Sequence, residues 1–315
     1  MEATTGSVER VAPGAVSLGA TSRHLGERLI RYLLFAATAI SVLTTLGILY
    51  ALLSETIKFF SEVGLVSFIT DAEWAPLFEP PQYGIWQLIN GTFLITGIAI
   101  LLAIPLGLGS AVYLSEYATP RARKWIKPVL EVLVGVPTIV FGYFALTFVT
   151  PTILQSFLGV DVQIFNALAA SLVMAIMILP TIASISEDAM SAVPQGLREG
   201  AYGMGATKLQ VSTRVVFPAA LSGVVAAIVL GISRAIGETM IVLIAAGQQP
   251  NSGVDPKQPF ETIAAFIAAT GKGDIPTGST EYKTIFAAGM TLFLLTLVFN
   301  AIAIRFVRKY RQVYE

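Results

Sequence analysis

Long apolar runs separated by shorter polar stretches dominate this 315-residue chain. A helix needs about 20 apolar residues to cross the hydrocarbon core of a bilayer, and six runs reach that length. They lie near residues 32–53, 92–114, 129–150, 164–183, 217–246 and 284–304. The first run is longer than the apolar core of a cleaved signal peptide. The pattern therefore predicts an all-α membrane protein with six transmembrane helices.

Composition agrees with a membrane protein. The chain is 55% apolar and 13% charged, with a mean hydropathy of +0.74, whereas soluble proteins carry about 25% charged residues. A net charge of zero gives no reason to expect nucleic-acid binding. The absence of cysteine excludes disulfides and thiolate metal sites, and the single histidine, His24, lies in a polar stretch. We expect no catalytic residue, bound metal or cofactor in this chain.

Lysine and arginine accumulate on the cytoplasmic side of membrane proteins, and here they fall on alternate connections between the runs. One side has Arg10, Arg23, Arg28, Arg31, Arg121, Arg123, Lys124, Lys127, Arg198, Lys208, Arg214, Arg305, Arg308, Lys309 and Arg311; the other has Lys58, Lys257, Lys272 and Lys283. Both termini and the 184–218 loop are therefore expected in the cytoplasm. We divide the chain into a flexible cytoplasmic tail, residues 1–27, and a membrane domain, residues 28–315.

Prolines and glycines interrupt three of the runs. They are Pro105 with Gly107 and Gly109, Gly135 with Pro137 and Gly142, and Pro180. Singly, each favours an ordinary kink or the close packing of helices through small residues. Together they suggest interrupted helices along a moving pathway, because broken backbone is tolerated in a membrane where it lines a cavity.

The polar loop 184–218 predicts two short helices with a glycine bend between them. Pro194 suits the start of the first, since its missing N–H has no intrahelical partner at that position, and Gly203 and Gly205 suit its end. Thr207 with Gln210 has the spacing of a capping box, which begins the second. Such a compact segment suits a docking surface better than a tether, although a folded connecting loop would look the same.

The same loop contains a spaced sequence pattern that favours a docking surface over a simple connecting loop. Glu199, Gly200 and Ala201 are followed by Gly205 and then, after nine residues, by Val215, Phe217 and Pro218. This resembles the coupling loop of ABC-importer permeases, E-A-A-x3-G-x9-I-x-L-P, with conservative changes and the full spacing. The resemblance implies a type I ABC-importer permease fold, with these seven residues at the contact to an ATPase. No G-x-x-x-x-G-K-[ST] occurs, so ATP is expected to bind in partner subunits.

Arg234 is the one basic residue well inside a predicted span, and Glu238 follows four residues later. A charge at that depth costs about 2.5–3.5 kcal/mol on insertion scales, which makes a functional role the first hypothesis. An intrahelical ion pair is the structural alternative, but Arg before Glu is the weaker order for such a pair. We predict that both residues belong to the substrate pathway, with Glu238 positioning Arg234 and limiting how tightly an anion binds.

Two stretches resemble the phosphate-importer permeases. GISRAIGETM is similar to their signature, and YLSEYATPRARKWIKPVLEVLVGVPTIVFGYFALTFVTP is similar to the region of the second and third spans in the subunit called PstC; its sister PstA shares the first motif. The resemblance covers residues 28–310. It implies phosphate import by a heterodimer with a PstA-like permease, two PstB-like ATPase subunits and a periplasmic PstS-like phosphate-binding protein, in the bacterial inner membrane.

Three other readings remain open at the level of sequence. One is a secondary transporter in which Glu238 carries a proton, which would leave the pattern at 199–218 unexplained. Another is the permease of an ABC importer for a different small anion. The third is a membrane-embedded enzyme, although the spans contain no evident set of nucleophile, base and metal ligands.

The orientation can be tested by labelling in this cysteine-free chain. We expect a cysteine at position 255 to react with an impermeant thiol reagent added outside spheroplasts, and a cysteine at position 208 to react only after the membrane is opened. Labelling in the reverse order would contradict the orientation drawn from lysine and arginine.

Overall fold

The computed structural model describes the backbone of residues 24–310 and the side chains of residues 26–305. The chain divides into two compact units after Tyr50. The described part of the first unit is the N-terminal portion of helix α1 (His24–Val63), whose large apolar side chains are exposed, as expected for a helix surrounded by lipid. The tail predicted for residues 1–27 lies outside the described residues, except for its last four, which already belong to α1.

The second unit contains the remaining elements. In chain order they are α2 (Leu65–Thr70), β1 (Trp74–Ala75), β2 (Gln82–Tyr83), α3 (Trp86–Val112), α4 (Pro120–Val134), α5 (Thr138–Phe144), α6 (Ala167–Ser191), α7 (Gln195–Gly203), α8 (Lys208–Val211), α9 (Phe217–Ala219), α10 (Leu221–Ile236), α11 (Met240–Ala245), α12 (Ile263–Gly271) and α13 (Thr280–Tyr310). Wider π-helical turns extend α3 over Tyr113–Tyr117, α5 over Ala145–Phe157 and α8 over Ser212–Val216.

Helix α6 is the centre of the second unit, with α3 and α10 packed closely against it. Small residues permit this approach: a Cβ atom added at Gly107 of α3, or at Gly231 of α10, would lie 2.9 Å from the side chain of Ile182. Helices in membranes associate through such small-residue contacts. Both α3 and α6 continue without interruption through Pro105 and Pro180, so the breaks predicted at these two prolines are wrong and close packing is the better explanation.

The third span begins later than predicted. The candidate crossing segment is Thr138–Phe157 instead of 129–150, because residues 120–134 form the separate helix α4, which has no buried residue. The break falls at Gly135–Pro137. Proline disfavours helical backbone in the residue before it, so α4 ends at Val134 and α5 begins after Pro137.

The fifth span, predicted as one run over 217–246, is bent and broken. The segments Lys208–Ala219 and Leu221–Ile236 meet at an angle of 73°, and a second break after Ile236 separates α10 from α11. In the described residues five helices are long and apolar enough to cross a membrane, and the bent pair makes a sixth. This agrees with the predicted fold of six transmembrane helices.

One end of the second unit carries α7 and α8, and we call it the α7 end. The opposite end, the hairpin end, carries the antiparallel pair β1–β2 in the register Trp74↔Tyr83, together with α2 and α12. The first residues of α12 are buried against an aromatic cluster that includes Trp74.

Candidate functional site

The segment between α6 and α10 folds largely as its sequence predicts. Pro194 precedes α7, which ends at Gly203, and Gly205 adopts a left-handed φ of +81°. The capping box is present: the N–H of Thr207 donates to Oε1 of Gln210 at 2.8 Å, and the N–H of Gln210 donates to Oγ1 of Thr207 at 3.4 Å. The segment is shorter than the predicted loop, because α6 continues as a helix to Ser191.

Arg198 fixes α7 to the ends of two long helices. Its Nη2 donates to Oε1 of Glu116, at the end of α3, at 3.0 Å and to the carbonyl oxygen of Met190, in α6, at 2.7 Å. Its Nη1 donates to the carbonyl oxygen of Val193. Both charged side chains are nearly fully buried. The C-terminal carbonyls of a helix have no intrahelical donors, so Arg198 satisfies this end of α6 and connects α7 to it.

A second group of charges connects α4 to the same end of α6. The carboxylate of Glu187, only 1% exposed, pairs with Arg123 and, at 2.9 Å, with Nζ of Lys127. Asp188 also pairs with Lys127, at 2.7 Å. The hydrogen bonds to Asp188 and Glu187 raise the pKa of Lys127, so this lysine remains charged throughout the physiological range. A displacement of α6 at the α7 end would therefore reach α3, α4 and α7.

The outward face of this segment is apolar, which is unusual for an exposed turn between helices. Met204 is 89% exposed and Leu209 63% exposed, and Tyr202 also faces outward. Glu199 and Gly205 lie beside them on the exposed side. We call these five residues the α7–α8 surface. An exposed group of large apolar side chains is typical of a contact site for another protein.

The seven residues predicted for coupling fall into two sets. Glu199, Gly200, Gly205 and Pro218 are exposed, whereas Ala201, Val215 and Phe217 are half-buried. Ala201 and Phe217 pack on the apolar cluster beneath the segment, so they support the surface from within.

Sequence reasoning missed the exposed Tyr202, Met204 and Leu209 and the buried role of Arg198. The apolar residues could have been found as exceptions in a polar loop, but the partner of Arg198, Glu116, is 82 residues away. Nothing local in the sequence indicates that pair.

Arg234 and Glu238 lie on opposite sides of the break between α10 and α11. The Nη1 of Arg234 donates to Oγ1 of Thr181 in α6 at 3.3 Å. Oε1 of Glu238 instead accepts from the N–H groups of Met240 and Ile241, at 3.1 and 3.3 Å. Within the described residues no ion pair joins the arginine to the glutamate. The prediction that Glu238 positions Arg234 through a direct pair is therefore wrong.

The helix break explains why the charges occur in this order. Arg234 lies in the last turn of α10, where a cation interacts favourably with the helix dipole, and Glu238 precedes the first N–H groups of α11, where an anion does so. An arginine followed by a glutamate is the weaker order within one helix but the favourable order across two. Each charge stabilises its own helix end.

Neighbouring contacts fix the position of the break. The hydroxyl of Ser233 donates to Oδ1 of Asn300 in α13 at 2.8 Å. On the other side, a Cβ atom at Gly142 of α5 would lie 3.0 Å from the carbonyl oxygen of Met240. Both half-helices pack against α6, but α10 also packs against α13 and α11 against α5. The break between them is therefore part of the fold.

Residues 103–312 match the family model described as binding-protein-dependent transport system inner membrane component. The chain belongs to this family. The permease is 35% identical over 299 residues to the probable ABC transporter permease protein YqgH of Bacillus subtilis, covering 93% of this chain and 94% of that protein. It is also 35% identical over 288 residues to the phosphate transport system permease protein PstC of Mesorhizobium japonicum, with 85% and 86% covered.

Solved structures agree on the fold. A bacterial alginate ABC transporter in complex with a periplasmic protein has a chain that matches with a TM-score of 0.65 at 18% identity, covering 90% of this permease and 96% of that chain. The inward-facing MetNI methionine ABC transporter matches with a TM-score of 0.54 at 20% identity, covering 73% and 95%. These likenesses show the type I permease fold.

Family and fold together establish the class of the protein. The permease is a multi-pass membrane protein and the transport subunit of an ABC importer, not an enzyme. Importers of this kind work with a separate ATPase and with a substrate-binding protein.

The buried pair at the α7 end gives a testable prediction. Arg198→Gln leaves the carboxylate of Glu116 buried without a counter-ion, which we expect to lower stability by about 3–5 kcal/mol. The measurement is thermal unfolding of the purified subunit in detergent. The exposed Arg214→Gln serves as the control and should change little. The double variant Arg198→Gln/Glu116→Gln should recover part of the loss, because it removes the unpaired charge; additive losses would contradict a direct pairing.

Proposed function

We propose that this permease imports inorganic phosphate across the bacterial inner membrane, driven by ATP hydrolysis in partner subunits. In this proposal the α7 end faces the cytoplasm and the hairpin end faces outward. The second permease subunit is PstA-like, two PstB-like subunits bind and hydrolyse ATP, and a PstS-like protein delivers phosphate from outside. The chain itself binds no cofactor.

The observation that carries the proposal is the guanidinium of Arg234. It lies within the bent span, about 20 Å along α10 from its first residue at 1.5 Å per residue, and is half-buried. Arginine has five N–H donors, yet Arg234 uses one, on Thr181, within the described structure. By contrast, Arg198 donates to Glu116 and to two carbonyl oxygens at the α7 end. Arg234 therefore has donors free for an anion on its way through the membrane.

Phosphate suits this side chain. The planar fork of arginine binds phosphate oxygens through paired, charge-assisted hydrogen bonds, and a phosphate-system permease is among the relatives of this chain. A carrier must also release its cargo. The carboxylate of Glu238 is nearby but does not form an ion pair with Arg234 among the described residues. Its negative charge lowers the positive potential of the site and so limits how tightly the anion binds.

The α7–α8 surface is the proposed contact for the ATPase. Its exposed apolar residues, with Met204 and Leu209 foremost, suit a protein interface. Behind it, Arg198 connects α7 to the ends of α3 and α6. A movement imposed on α7 by ATP binding would thus be transmitted to the helices that pack around the bent span, which includes Arg234.

We expect Gly205→Val to uncouple ATP hydrolysis from uptake. The φ of +81° is strained for a β-branched residue, which costs about 1–3 kcal/mol, while a Cβ at this position meets no atom within 4 Å. The effect should therefore be a local change in the α7–α8 surface in a normally assembled complex. Gly196→Ala is the matched control, because its Cβ also meets nothing and its φ is not positive. Normal phosphate uptake by the assembled Gly205→Val complex would count against docking here.

The function is tested in proteoliposomes that contain the complete complex, with ATP on the ATPase side, loaded binding protein on the other, and radiolabelled phosphate. We expect Arg234→Gln to abolish uptake while the complex still assembles, and Arg234→Lys to restore a fraction, since lysine lacks the fork. Glu238→Gln keeps a side-chain oxygen to cap α11, so it should alter the transport rate without lowering the amount of folded protein. If both charge removals reduce only abundance, the residues are structural.

The same assay separates the alternatives. Uptake that persists without ATP and stops with a protonophore would indicate a gradient-driven transporter. If the complex takes up another anion, such as sulfate, in an ATP-dependent way but does not transport phosphate, the protein is an ABC importer and the proposed substrate is wrong.

A further inference from the structure

At the hairpin end, Trp74 and Glu261 have nearly buried side chains whose polar atoms make no hydrogen bond within the described part of the chain. Nε1 of Trp74 is buried with no hydrogen bond. The side chain of Glu261, a residue only 6% exposed, has neither a hydrogen bond nor an ion pair within the described residues. In native proteins buried polar groups almost always have partners. The N–H of Trp74 is itself a donor, whereas the carboxyl group of Glu261 can be completed by a donor or a cation from outside this chain.

Both residues line one cavity of about 290 Å³. Aromatic rings form much of its wall: Trp74 and Phe266 are packed edge to face with their centroids 5.0 Å apart, and Phe78, 73% exposed, belongs to the same lining. The amide of Gln248 lies in the wall as well. The volume is at or just below the lower limit of small-molecule sites, about 300–1,000 Å³. A cavity of this size suits one long side chain.

The chemistry of the walls selects a cation with an apolar stem. Aromatic faces attract guanidinium and ammonium groups, and a carboxylate supplies the counter-charge. None of the three lysines at this end pairs with Glu261; Lys283, for example, pairs with Glu62. Burial raises the pKa of Glu261 to about 7, and a cation beside the carboxylate would favour its charged form.

The surface around the cavity carries a net negative charge, which complements a cationic side chain. Segments 64–85 and 247–283 contain seven acidic residues and three lysines. A partner that docks on this end is therefore favoured if it presents basic side chains.

We propose that this cavity receives a single arginine or lysine side chain of the substrate-binding protein, with Glu261 as its counter-ion and Trp74 and Phe266 against its stem. The partner follows from the family, whose members depend on a binding protein, and from the side of the membrane assigned in the proposed function, on which this inference rests. The contact would align the binding protein over the permease, and Glu261 is its specificity-determining residue.

The first experiment tests the cavity alone, with n-butylguanidinium as the probe. The probe should raise the thermal unfolding midpoint of the purified complete complex. The increase should disappear in Glu261→Gln and remain in Asp274→Asn, which removes an exposed acid of the same end. No increase with the unchanged complex, or an equal increase with Glu261→Gln, would overturn the proposal.

The second experiment identifies the partner. In the reconstituted complex, Glu261→Gln should raise the concentration of phosphate-loaded binding protein that half-maximally stimulates ATP hydrolysis by about ten-fold, with basal hydrolysis unchanged. Asp274→Asn should leave that concentration within about two-fold. Because the buried carboxyl has no partner among the residues that the structure describes, Glu261→Gln should also keep or raise the unfolding midpoint, which a structural role would not do. An unchanged half-maximal concentration overturns the proposal.

If the Glu261→Gln complex fails to assemble, a second variant tests the docking of the binding protein. Ala269→Lys adds a cation of the chain's own to the cavity wall, so it should weaken docking to a similar extent while Glu261 is retained; normal docking would again overturn the proposal. If the unchanged complex is not stimulated by a phosphate-loaded binding protein, the proposed function fails, whereas the result with n-butylguanidinium still decides whether the cavity binds cations.

Discussion

A helix that stops inside a membrane leaves carbonyl oxygens at one end and N–H groups at the other without partners, and lipid supplies none. The break between α10 and α11 is stable because these groups are provided for within the protein. Glu238 accepts from the first N–H groups of α11. At the end of α10, where Arg234 lies, the N–H groups of Gly237 and Glu238 donate to the carbonyl oxygens of Ser233 and Ala235. The position of the break therefore determines where the two charges of this span lie and what each can do.

Buried charges also need partners within the protein, and this requirement distinguishes charges with a structural role from charges that are available for function. At the α7 end, Glu187 and Glu116 are buried, and each is compensated by arginine or lysine from another helix. Removing one partner there would leave a buried charge, so these pairs make the attachment of α7 and α4 to α6 specific. Arg234 and Glu261 differ: both are at least partly buried, yet among the described residues the side chain of Arg234 makes one hydrogen bond and that of Glu261 makes none. Groups with unused bonding capacity are where a ligand or partner can bind.

The two ends of the second unit are connected through α6 and α3. Small residues bring α3, α6 and α10 together around Ile182. The ion pairs at the α7 end attach α7 to the end of α3 and α4 to the end of α6. Packed interfaces of this kind move as bodies rather than deform gradually. The ATPase contact proposed at one end and the binding-protein contact proposed at the other would thus act on the same group of helices.

Much of the fold could be predicted from the sequence, because its determinants are local. Apolar runs predict the spans. Pro194, with Gly203 and Gly205, predicts α7, and the Thr207–Gln210 capping box predicts α8. A spaced pattern then identified the family. The predictions were wrong at two places. Helices α3 and α6 continue through Pro105 and Pro180, where they pack closely on their neighbours. The third span starts only after Pro137, because proline disfavours helical backbone in the residue before it.

The sequence by itself determined which residues are candidates for the substrate pathway, since an arginine inside an apolar span has few structural explanations. Only the tertiary structure decided which contacts those residues make. Arg234 and Glu238 are four positions apart, which predicts contact on a continuous helix, but the helix ends between them. Arg198 pairs with Glu116, and Trp74 and Glu261 line the same cavity. The members of each pair are far apart in the sequence, so a helical or strand repeat does not predict that they meet. Such pairings depend on which helices pack together, and that is fixed by the whole chain.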